Sequence, residues 1–560
     1  MKSMNDFRKM DFLCQIALLT EARAGGDPGV IPGLVELFTQ PVDDPVIDSM
    51  VRTTLREVLL RNPPAILDFL NHETTKLRRF CALLAGEAKL VEAVAPLMQF
   101  AREWQNDPDA QHDALTALAR LGDPAALPLF REHLDHHDDY IACVCISQIG
   151  AHGDAASQAR LEGFIDANEA PDQVEQCSVL AWSAIEALQE LNTQEALAFL
   201  ASKIHHQNPT ARRLVQKGLV AAGERAVPLL AAILEQSEDT DEKILASNAL
   251  GLTGGRQAAN VLINALERQV LRSPNERFSG YEALGRIAGM KSVVFLQDAM
   301  WKETDPLLLL AIVKGLEALF QPTLADGLAQ EMSARLKQSP DSLGRALRAI
   351  IAAQAGALFA TFFSKPELGP RVLEELEATA NRATLETLSQ ALESRGFAGE
   401  ARTLRTLGAT NEAGSTDADL PRMLAVDDSE AMRAFYVQFG METGWRVHTA
   451  ENGQAALDAL EAGGTFDILV TDMNMPVMDG TEMTRKMRAR PEWADMPIVM
   501  ASTESSKAQA RIAKNVGVNS FIVKPFTSAQ LREKISRYLS GPVKGSSCGV
   551  SGSPGERTKK

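Results

Sequence analysis

The chain has 560 residues, of which 45% are hydrophobic and 5% aromatic, and a formal net charge of −16. This length exceeds what one hydrophobic core usually supports, so at least two domains are expected. Residues 1–420 carry a charge of −18, residues 421–540 carry −1 and residues 541–560 carry +3, which argues against nucleic acid or anionic lipid as a partner and favours a basic or amphipathic protein.

The cysteines and the apolar segments indicate in which cellular compartment the protein is expected. Five of the six cysteines lie inside helical patterns without CxxC spacing, which is typical of reduced thiols in the cytosol. Residues 2–24 superficially resemble a signal peptide, but Gln15 interrupts their apolar stretch. The most apolar segment, residues 349–363, is too short to span a bilayer. We therefore expect a cytoplasmic protein without membrane insertion.

Short helical patterns recur from residue 113 onward, each ending in a small or turn-forming residue. The turn residues Asn192, Gly223, Gly254 and Gly289 follow one another at intervals of 31, 31 and 35 residues. Such a period holds two helices and two turns, which is the signature of an α-solenoid. Glycine suits these turns because it readily adopts the left-handed conformation that follows a helix. Earlier turns of the same kind are expected at Gly122 and Gly150.

Residues 114–130, ALTALARLGDPAALPLF, resemble the turn of bacterial HEAT-like repeats. The resemblance extends over about residues 20–340 and implies a protein-binding scaffold. Some HEAT-like families are enzymes, and one of them hydroxylates a protein side chain at a di-iron centre built from several His-Glu dipeptides. This chain has a single such dipeptide, His72-Glu73, which argues against that activity.

Two histidine groups raise the question of a metal site in the repeats. His133 and His137 would share one helical face at positions i and i+4, where they could chelate a transition metal. The pattern places no further histidine or cysteine outside this group to complete the site. We therefore interpret it as a solvated turn, and we interpret His205-His206 in the same way.

The repeat pattern fades before the last quarter of the chain. We assign residues 1–340 to the solenoid and interpret residues 341–407, which stay helical, as a cap that closes its last hydrophobic face. Residues 408–420 are small and polar and predict a flexible linker. Residues 541–560 read as a disordered basic tail.

Five apolar runs alternate with helical patterns in residues 421–540. Short apolar strands separated by amphipathic helices indicate a parallel sheet that is covered on both faces. Ligands of such sheets bind beyond the carboxyl ends of the strands. The predicted strands are Met423–Val426, Val447–Thr449, Ile468–Thr471, Ile498–Ala501 and Phe521–Val523.

Chemically active side chains follow four of these strands. The first strand ends at Asp427 and Asp428, the third at Asp472, the fourth at Ser502 and the fifth at Lys524. Three neighbouring carboxylates repel one another unless a hard cation such as Mg²⁺ lies among them. The pattern therefore predicts phosphoryl transfer with Asp472 as the nucleophile and Mg²⁺ held by the carboxylates. Lys524 and Ser502 would receive the phosphoryl oxygens.

Four motifs resemble, in order and spacing, the receiver domain of two-component response regulators, closest to the chemotaxis type. The resemblance covers residues 421–540 and implies a flavodoxin-like doubly wound fold of five parallel strands in the order 2-1-3-4-5. An all-α solenoid of HEAT-like helix pairs precedes this domain, so we expect a multidomain chain. The motifs are VDDSEAMR (426–433), TDMNMPVMDG (471–480), MASTE (500–504) and VKPF (523–526).

The resemblance also implies roles for individual residues. It makes the backbone carbonyl of Asn474 a further Mg²⁺ ligand, and it makes Phe521 the aromatic switch residue that turns inward when Ser502 moves toward the phosphate. Asn474 and Glu504 occupy the positions that tune dephosphorylation. Thr503 stands where the family usually has alanine or glycine, so the phosphoryl lifetime stays open. Pro476 and Gly480 would shape the loop after Asp472, and residues 505–516, 520–523 and 527–539 would form the output face.

The resemblance implies a bacterial phosphorelay protein. A histidine kinase or phosphotransfer protein would phosphorylate Asp472, and the receiver would then modulate the binding of an unidentified protein by the solenoid. We expect no enzymatic activity beyond the receiver's own phosphorylation and dephosphorylation. Three alternatives stay open, namely a phosphate sink anchored by the solenoid, a solenoid enzyme gated by the receiver, and a pseudo-receiver that keeps the fold without the chemistry.

Overall fold

The structure, a computed structural model, describes residues 4–104, 107–170, 177–379, 382–410, 420–502, 507–524 and 526–538. The tail 541–560, most of the predicted linker, Thr503 and Glu504 lie outside these residues. The chain divides into two compact units, of which one comprises Met1–Glu331 with Asp341–Ala346 and the other Met332–Pro340 with Leu347–Lys560. Within the described part of the chain, every helix is too short or too polar to cross a bilayer.

The described elements of the first unit are all helical. They begin and end as follows: α1 Phe12–Gly25, α2 Ile31–Thr39, α3 Pro45–Arg61, α4 Thr75–Glu87, α5 Val94–Glu103, α6 Pro108–Leu121, α7 Leu127–Glu132, α8 Asp139–Ala151, α9 Gln158–Ala167, α10 Val179–Leu191, α11 Gln194–Ser202, α12 Pro209–Ala221, α13 Val227–Gln236, α14 Thr240–Thr253, α15 Gly255–Glu267, α16 Pro274–Arg286, α17 Met290–Lys302 and α18 Pro306–Ala318. Short 3₁₀ turns lead into several of them.

The helices of this unit stack in two layers. Consecutive members of the first layer, α1, α3, α4, α6, α8, α10, α12, α14, α16 and α18, pack side by side. The second layer, α2, α5, α7, α9, α11, α13, α15 and α17, packs against the first. From α3 onward, first-layer helices start 30 to 34 residues apart, except for 40 residues between α8 and α10. The predicted stack of helix pairs is confirmed.

A recurrent cap starts many first-layer helices. An Asp, Asn or Ser whose side chain accepts a hydrogen bond from a backbone N–H of the first turn is followed directly by proline, which needs no hydrogen-bond partner at that position. This sequence signal marks the residue at which each of these helices begins. The pairs are Asp44-Pro45, Asp107-Pro108, Asn208-Pro209, Ser273-Pro274 and Asp305-Pro306.

Small residues set the spacing of the first layer. Gly122 and Asn192 end their helices in the left-handed conformation, as predicted. The turn expected at Gly150 is wrong, because α8 continues to Ala151 and Gly150 lies within it. A Cβ atom at Gly150 would lie 2.7 Å from the Cα atom of Ala187 on α10. This glycine therefore allows close helix packing instead of making a turn.

The second unit begins with further helices. The division falls within two helices, α19 at Pro322–Gln338 and α20 at Pro340–Ala352, and each of them contributes residues to both units. The helices that follow are α21 Gly356–Phe363, α22 Gly369–Thr379, α23 Arg382–Glu393 and α24 Ala398–Thr410. Helix α24 therefore extends into residues 408–410, which the sequence assigns to the linker. The division at residues 340 and 407 between solenoid, cap and linker stays a prediction.

An α/β fold completes the second unit. Its strands are parallel and lie in the order β2-β1-β3-β4-β5, as predicted. The elements are β1 Arg422–Val426, α25 Glu430–Thr443, β2 Arg446–Ala450, α26 Gly453–Glu461, β3 Ile468–Asp472, α27 Gly480–Arg488, β4 Ile498–Ser502, α28 Lys507–Asn515, β5 Ser520–Val523 and α29 Ser528–Ser536. Strands β3 and β4 are buried throughout, because helices cover both faces of the sheet.

Candidate functional site

The carboxyl ends of β1 and β3 bring three aspartates together. Asp427 directly follows β1, Asp428 comes next, and Asp472 is the last residue of β3. These two strands pair in register, Val426 beside Thr471. The donor oxygens of the three carboxylates all lie within 4.8 Å of one another. The structure thus assembles the acidic cluster that the sequence predicts.

Lys524 supplies the positive charge of this cluster. Its Nζ atom lies 2.7 Å from Asp427 Oδ2 and 3.3 Å from Asp472 Oδ1. The end of β5 positions the lysine, because the Lys524 backbone N–H donates to the carbonyl oxygen of Ser502 at 2.7 Å. The Asp427 side chain is fully buried and that of Lys524 almost so. A buried pair of this kind depends strongly on both partners, since either charge alone would be desolvated without compensation.

The electrostatics of the cluster favour a bound cation. Burial raises the pKa of Asp472 to about 7; Lys524 opposes the shift, and the negative charges of Asp427 and Asp428 add to it. Burial lowers the pKa of Lys524, but Asp427 and Asp472 outweigh it and raise that pKa well above its ordinary value. One lysine cannot balance three carboxylates. Oxygen ligands at this spacing with surplus negative charge fit a hard divalent cation such as Mg²⁺.

The predicted switch residues lie on the neighbouring strands. Ser502 ends β4 and is buried. Phe521 lies on β5 beside Met500 of β4. Its ring is half-buried and packs against a small cluster that includes Met500 and Met473. Thr503 and Glu504, predicted to tune the reaction, lie outside the described residues.

The loop after β3 is tightly constrained. Asn474 is half-buried two residues after Asp472. The Gly480 N–H donates to the Met473 carbonyl oxygen at 3.0 Å, and a Cβ atom at Gly480 would lie 2.1 Å from the Asp472 carbonyl oxygen. Only glycine fits there. Val477 has a positive φ of 65° and is exposed, a strained conformation for a β-branched residue.

The sequence pattern left two residues beside the site without a role. Arg433 Nη1 donates to the carbonyl oxygen of Asp427 at 2.7 Å, which fixes the backbone beside the acidic cluster. Arg433 belongs to the VDDSEAMR motif, and this membership could have identified it as part of the site. Tyr436, one turn away, is fully buried, and the carboxylate of Asp427 helps to raise its pKa well above the ordinary value after burial itself. Nothing in the sequence marked this tyrosine.

The histidine groups of the repeats have structural surroundings. Helix α7 ends at Glu132, so His133 and His137 do not share a helical face as expected. His133 is buried between Leu129 and Gln111, whose carbonyl oxygen and side-chain amide contact its two ring nitrogens at 2.8 and 2.7 Å. His133 and His206 both lie between helices, as expected, but both are buried. The interpretation as a solvated turn is therefore wrong for these two residues.

A second potential metal group contains His205. Its side chain and those of Asp239 and Glu242 place donor atoms within 4.8 Å of one another. However, Asp239 Oδ1 accepts backbone hydrogen bonds at the start of α14. Burial lowers the pKa of His205, and the nearby charge of Arg212 lowers it further. A cation here would meet that positive charge, so we assign no function to this group.

The chain resembles known protein families in two regions. A family model described as the response regulator receiver domain matches residues 423–536, and one described as HEAT repeats matches residues 63–172. The chain is 42% identical over 119 residues to the chemotaxis protein CheY homolog of Campylobacter jejuni, which covers 21% of this chain and 92% of that protein. It is 40% identical over 119 residues to chemotaxis protein CheY1 of Helicobacter pylori, with 21% and 96% covered.

Solved structures give matches of the same extent. The chemotaxis response regulator CheY4 of Vibrio cholerae shares 35% sequence identity, and the alignment covers 21% of this chain and 99% of that chain with a TM-score of 0.21. All predicted site residues, from Asp427 to Lys524, fall inside the region that the receiver model matches.

Proposed function

Because the chain belongs, through residues 423–536, to the response regulator receiver family, we propose that it is a phosphorelay protein that accepts a phosphoryl group on Asp472. The donor would be a histidine kinase or a phosphotransfer protein in the cytoplasm. The observation that carries this proposal is the cluster of Asp427, Asp428 and Asp472 within 4.8 Å, with Lys524 paired to two of its members.

The ligands for Mg²⁺ would come from both strand ends. Asp427, Asp428 and Asp472 would supply carboxylate oxygens, and Asn474 would supply its backbone carbonyl. When bound, the cation neutralises carboxylate charge and offsets the charge of the incoming phosphoryl group. The pKa of Asp472, raised to about 7 without a cation, would fall in its presence, so that the carboxylate is available as a nucleophile.

Transfer then needs only alignment and charge balance. An oxygen of Asp472 attacks the phosphorus of a phosphohistidine; the O–P bond forms while the N–P bond breaks, and the imidazole nitrogen leaves with the electron pair. Lys524, which already lies 3.3 Å from Asp472 Oδ1, would leave Asp427 and bind a phosphoryl oxygen. The Ser502 hydroxyl would bind another. Lys524 and Ser502 would make these contacts only when Asp472 is phosphorylated. The contacts can therefore shift the conformational equilibrium of the receiver toward the active conformation.

The proposed output is a change in protein binding. As Ser502 moves toward the phosphoryl group, Phe521 would turn inward and alter the face formed by α28, β5 and α29. The receiver would thereby modulate the binding of a protein partner by the HEAT repeats. Beyond its own phosphorylation and dephosphorylation, the chain would act as a signalling scaffold and not as an enzyme.

Partner capture with and without phosphorylation tests this function. Wild-type protein and Asp472→Asn protein are immobilised and exposed to cytosol with Mg²⁺, in the presence or absence of phosphoramidate as phosphodonor. We expect at least one protein whose retention on the wild type changes severalfold with phosphoramidate and is constant on the variant. Identical retention under all four conditions, combined with rapid phosphoryl turnover, would favour a phosphate sink and contradict the scaffold function.

A further inference from the structure

Ion pairs link neighbouring first-layer helices at the start of the solenoid. Arg23 on α1 donates to Glu57 on α3 at 2.8 Å. Arg56 on α3 pairs with Glu87 on α4. Arg79 on α4 follows with a bond to Asp113 on α6 at 2.6 Å. The three arginine side chains are partly exposed, and each acidic group is paired with an arginine of the neighbouring first-layer helix.

The series of ion pairs stops at α8 and α10. Neither helix contains a lysine or an arginine. Their acidic residues Asp139, Glu186 and Glu190 form no ion pair with any residue that the structure describes. All three are exposed. This part of the layer therefore keeps its negative charge uncompensated.

Large apolar side chains are exposed on the same two helices. Tyr140 at the start of α8 is 77% exposed, and Val179 and Trp182 at the start of α10 are 53% and 37% exposed. Cys143, one turn after Tyr140, donates through its Sγ atom to the Val179 carbonyl oxygen at 3.6 Å. This contact joins the two helix starts into one surface. We call the surface formed by these four residues with Asp139, Glu186 and Glu190 the α8–α10 face.

Exposure of this kind indicates a docking surface. Tyrosine and tryptophan are the residues that contribute most to protein–protein interfaces, because they bury large areas with little loss of side-chain freedom. An aromatic patch rimmed by unpaired acidic groups is complementary to a segment that carries both apolar and basic side chains. The acidic rim would repel phosphate backbones and anionic lipid headgroups.

We propose that the α8–α10 face binds a basic amphipathic helix of a partner protein. The apolar stripe of that helix would cover Val179 and Trp182, and its lysine or arginine side chains would pair with Glu186 and Glu190 or stack over the ring of Tyr140. This inference rests on the proposed scaffold role of the repeats and is independent of phosphorylation.

Peptide binding to the full-length protein tests the proposal. The probe is a fluorescent amphipathic helical peptide with leucine on one face and lysine on the other, and its matched control carries glutamate in place of every lysine. Binding is followed by fluorescence anisotropy in the absence of any phosphodonor. The lysine peptide should bind, and the glutamate peptide should bind at least about tenfold more weakly.

Variants locate the site on the protein. The double substitution Tyr140→Ser with Trp182→Ser should weaken binding of the lysine peptide by about tenfold or more. Leu252→Ser, at a 50% exposed leucine on α14, should leave it unchanged. Glu186→Gln should weaken binding severalfold and reduce its salt dependence, whereas Glu195→Gln, at an exposed acid on α11, should not. Circular dichroism checks that each variant melts like the wild type.

Two outcomes would overturn the proposal. One is equal affinity of the double variant and of Leu252→Ser, which would mean that the peptide binds to the acidic protein without using this face. The other is an absence of binding by the lysine peptide. Neither result bears on phosphorylation of Asp472, so failure of this surface and failure of the proposed phosphorelay function remain distinguishable.

Discussion

At the scale of single residues, Lys524 connects the stability of the receiver to its chemistry. It is the positive charge next to two buried carboxylates, and it is also the group proposed to receive the phosphoryl oxygen. In the ligand-free state the lysine pairs with Asp427, one of the proposed Mg²⁺ ligands. Binding of the cation and release of the lysine are therefore expected to occur together.

Lys524→Ala should destabilise the receiver in the absence of Mg²⁺. The substitution leaves Asp427 and Asp472 buried without their counter-charge, which costs about 3 to 5 kcal/mol of unfolding free energy for a pair of this kind. Chemical denaturation of the full-length protein, followed by receiver fluorescence, measures the loss. Mg²⁺ should restore part of it. Lys514→Ala, at an exposed lysine on α28, serves as control, and an equal effect of both substitutions would contradict the pairing.

The raised pKa of Asp472 makes the stability of the Mg²⁺-free protein depend on pH. The carboxyl titrates near 3.8 in the unfolded chain and at about 7 when folded. Between about pH 4 and pH 7 the folded protein therefore holds a proton that the unfolded chain has released, and stability falls as the pH rises through this window.

Asp472→Asn should remove that part of the pH dependence. The variant keeps the shape of the side chain but carries no charge, so its stability in Mg²⁺-free buffer should exceed that of the wild type most clearly near neutral pH. Urea denaturation at about pH 5 and at about pH 7.5 measures the difference. Asp495→Asn, at an exposed acid, is the control. A wild-type slope that Asp472→Asn leaves unchanged would show that this carboxyl is not the titrating group.

Tyr436 carries a polar group whose removal should stabilise the receiver, in contrast to Lys524. Its hydroxyl is fully buried and has no hydrogen-bond partner among the described residues. An unpaired buried hydroxyl costs about 1 to 3 kcal/mol, so Tyr436→Phe should raise the free energy of unfolding by about 1 kcal/mol. Thermal denaturation of the Mg²⁺-free protein measures the change. A lower stability of the variant would show that the hydroxyl is hydrogen-bonded in solution.

At the scale of elements, the ends of the strands were predictable from sequence, but the distances between packed helices were not. Each predicted strand lies within an observed one, because apolar runs bounded by polar residues define short buried strands. The roles of Gly150 and Gly285 could not be read in this way. Each depends on a residue of the next first-layer helix, Ala187 for Gly150 and Gly315 for Gly285. No local pattern specifies such a contact.

Helices α16 and α18 pack closely through two glycines. A Cβ atom at Gly285 would lie 2.5 Å from the Cα atom of Gly315, so Gly285→Ala must push the two helices apart. We expect it to destabilise the helical unit by more than about 2 kcal/mol. Differential scanning calorimetry of the full-length protein measures this loss.

The matched control for this substitution is Gly163→Ala. Gly163 lies within α9, and a Cβ atom there would meet nothing within 4 Å. Alanine should therefore stabilise that helix by about 0.5 to 1 kcal/mol. If both substitutions shift stability in the same direction, the close packing of α16 on α18 is not the limiting contact.

At the scale of the whole molecule, the helical part and the receiver differ in net charge. Residues 1–420 carry −18 and residues 421–540 carry −1, so the long-range field of the chain arises from its helical part. The acidic cluster of the receiver was predictable from sequence because a few strand-end residues form it. The α8–α10 face was not, because exposed Tyr140 and Trp182 look in the sequence like any other members of a helical repeat.

The most direct test of the central claim is the intact mass of the full-length protein after incubation with phosphoramidate and Mg²⁺. We predict that the mass of the wild type increases by one phosphoryl group. The increase should not occur when EDTA is present during the incubation, and it should not occur for Asp472→Asn. Peptide mapping after borohydride reduction should place the modification on Asp472. A wild-type protein that gains no phosphoryl group, or an Asp472→Asn variant that gains one as readily, would contradict the account.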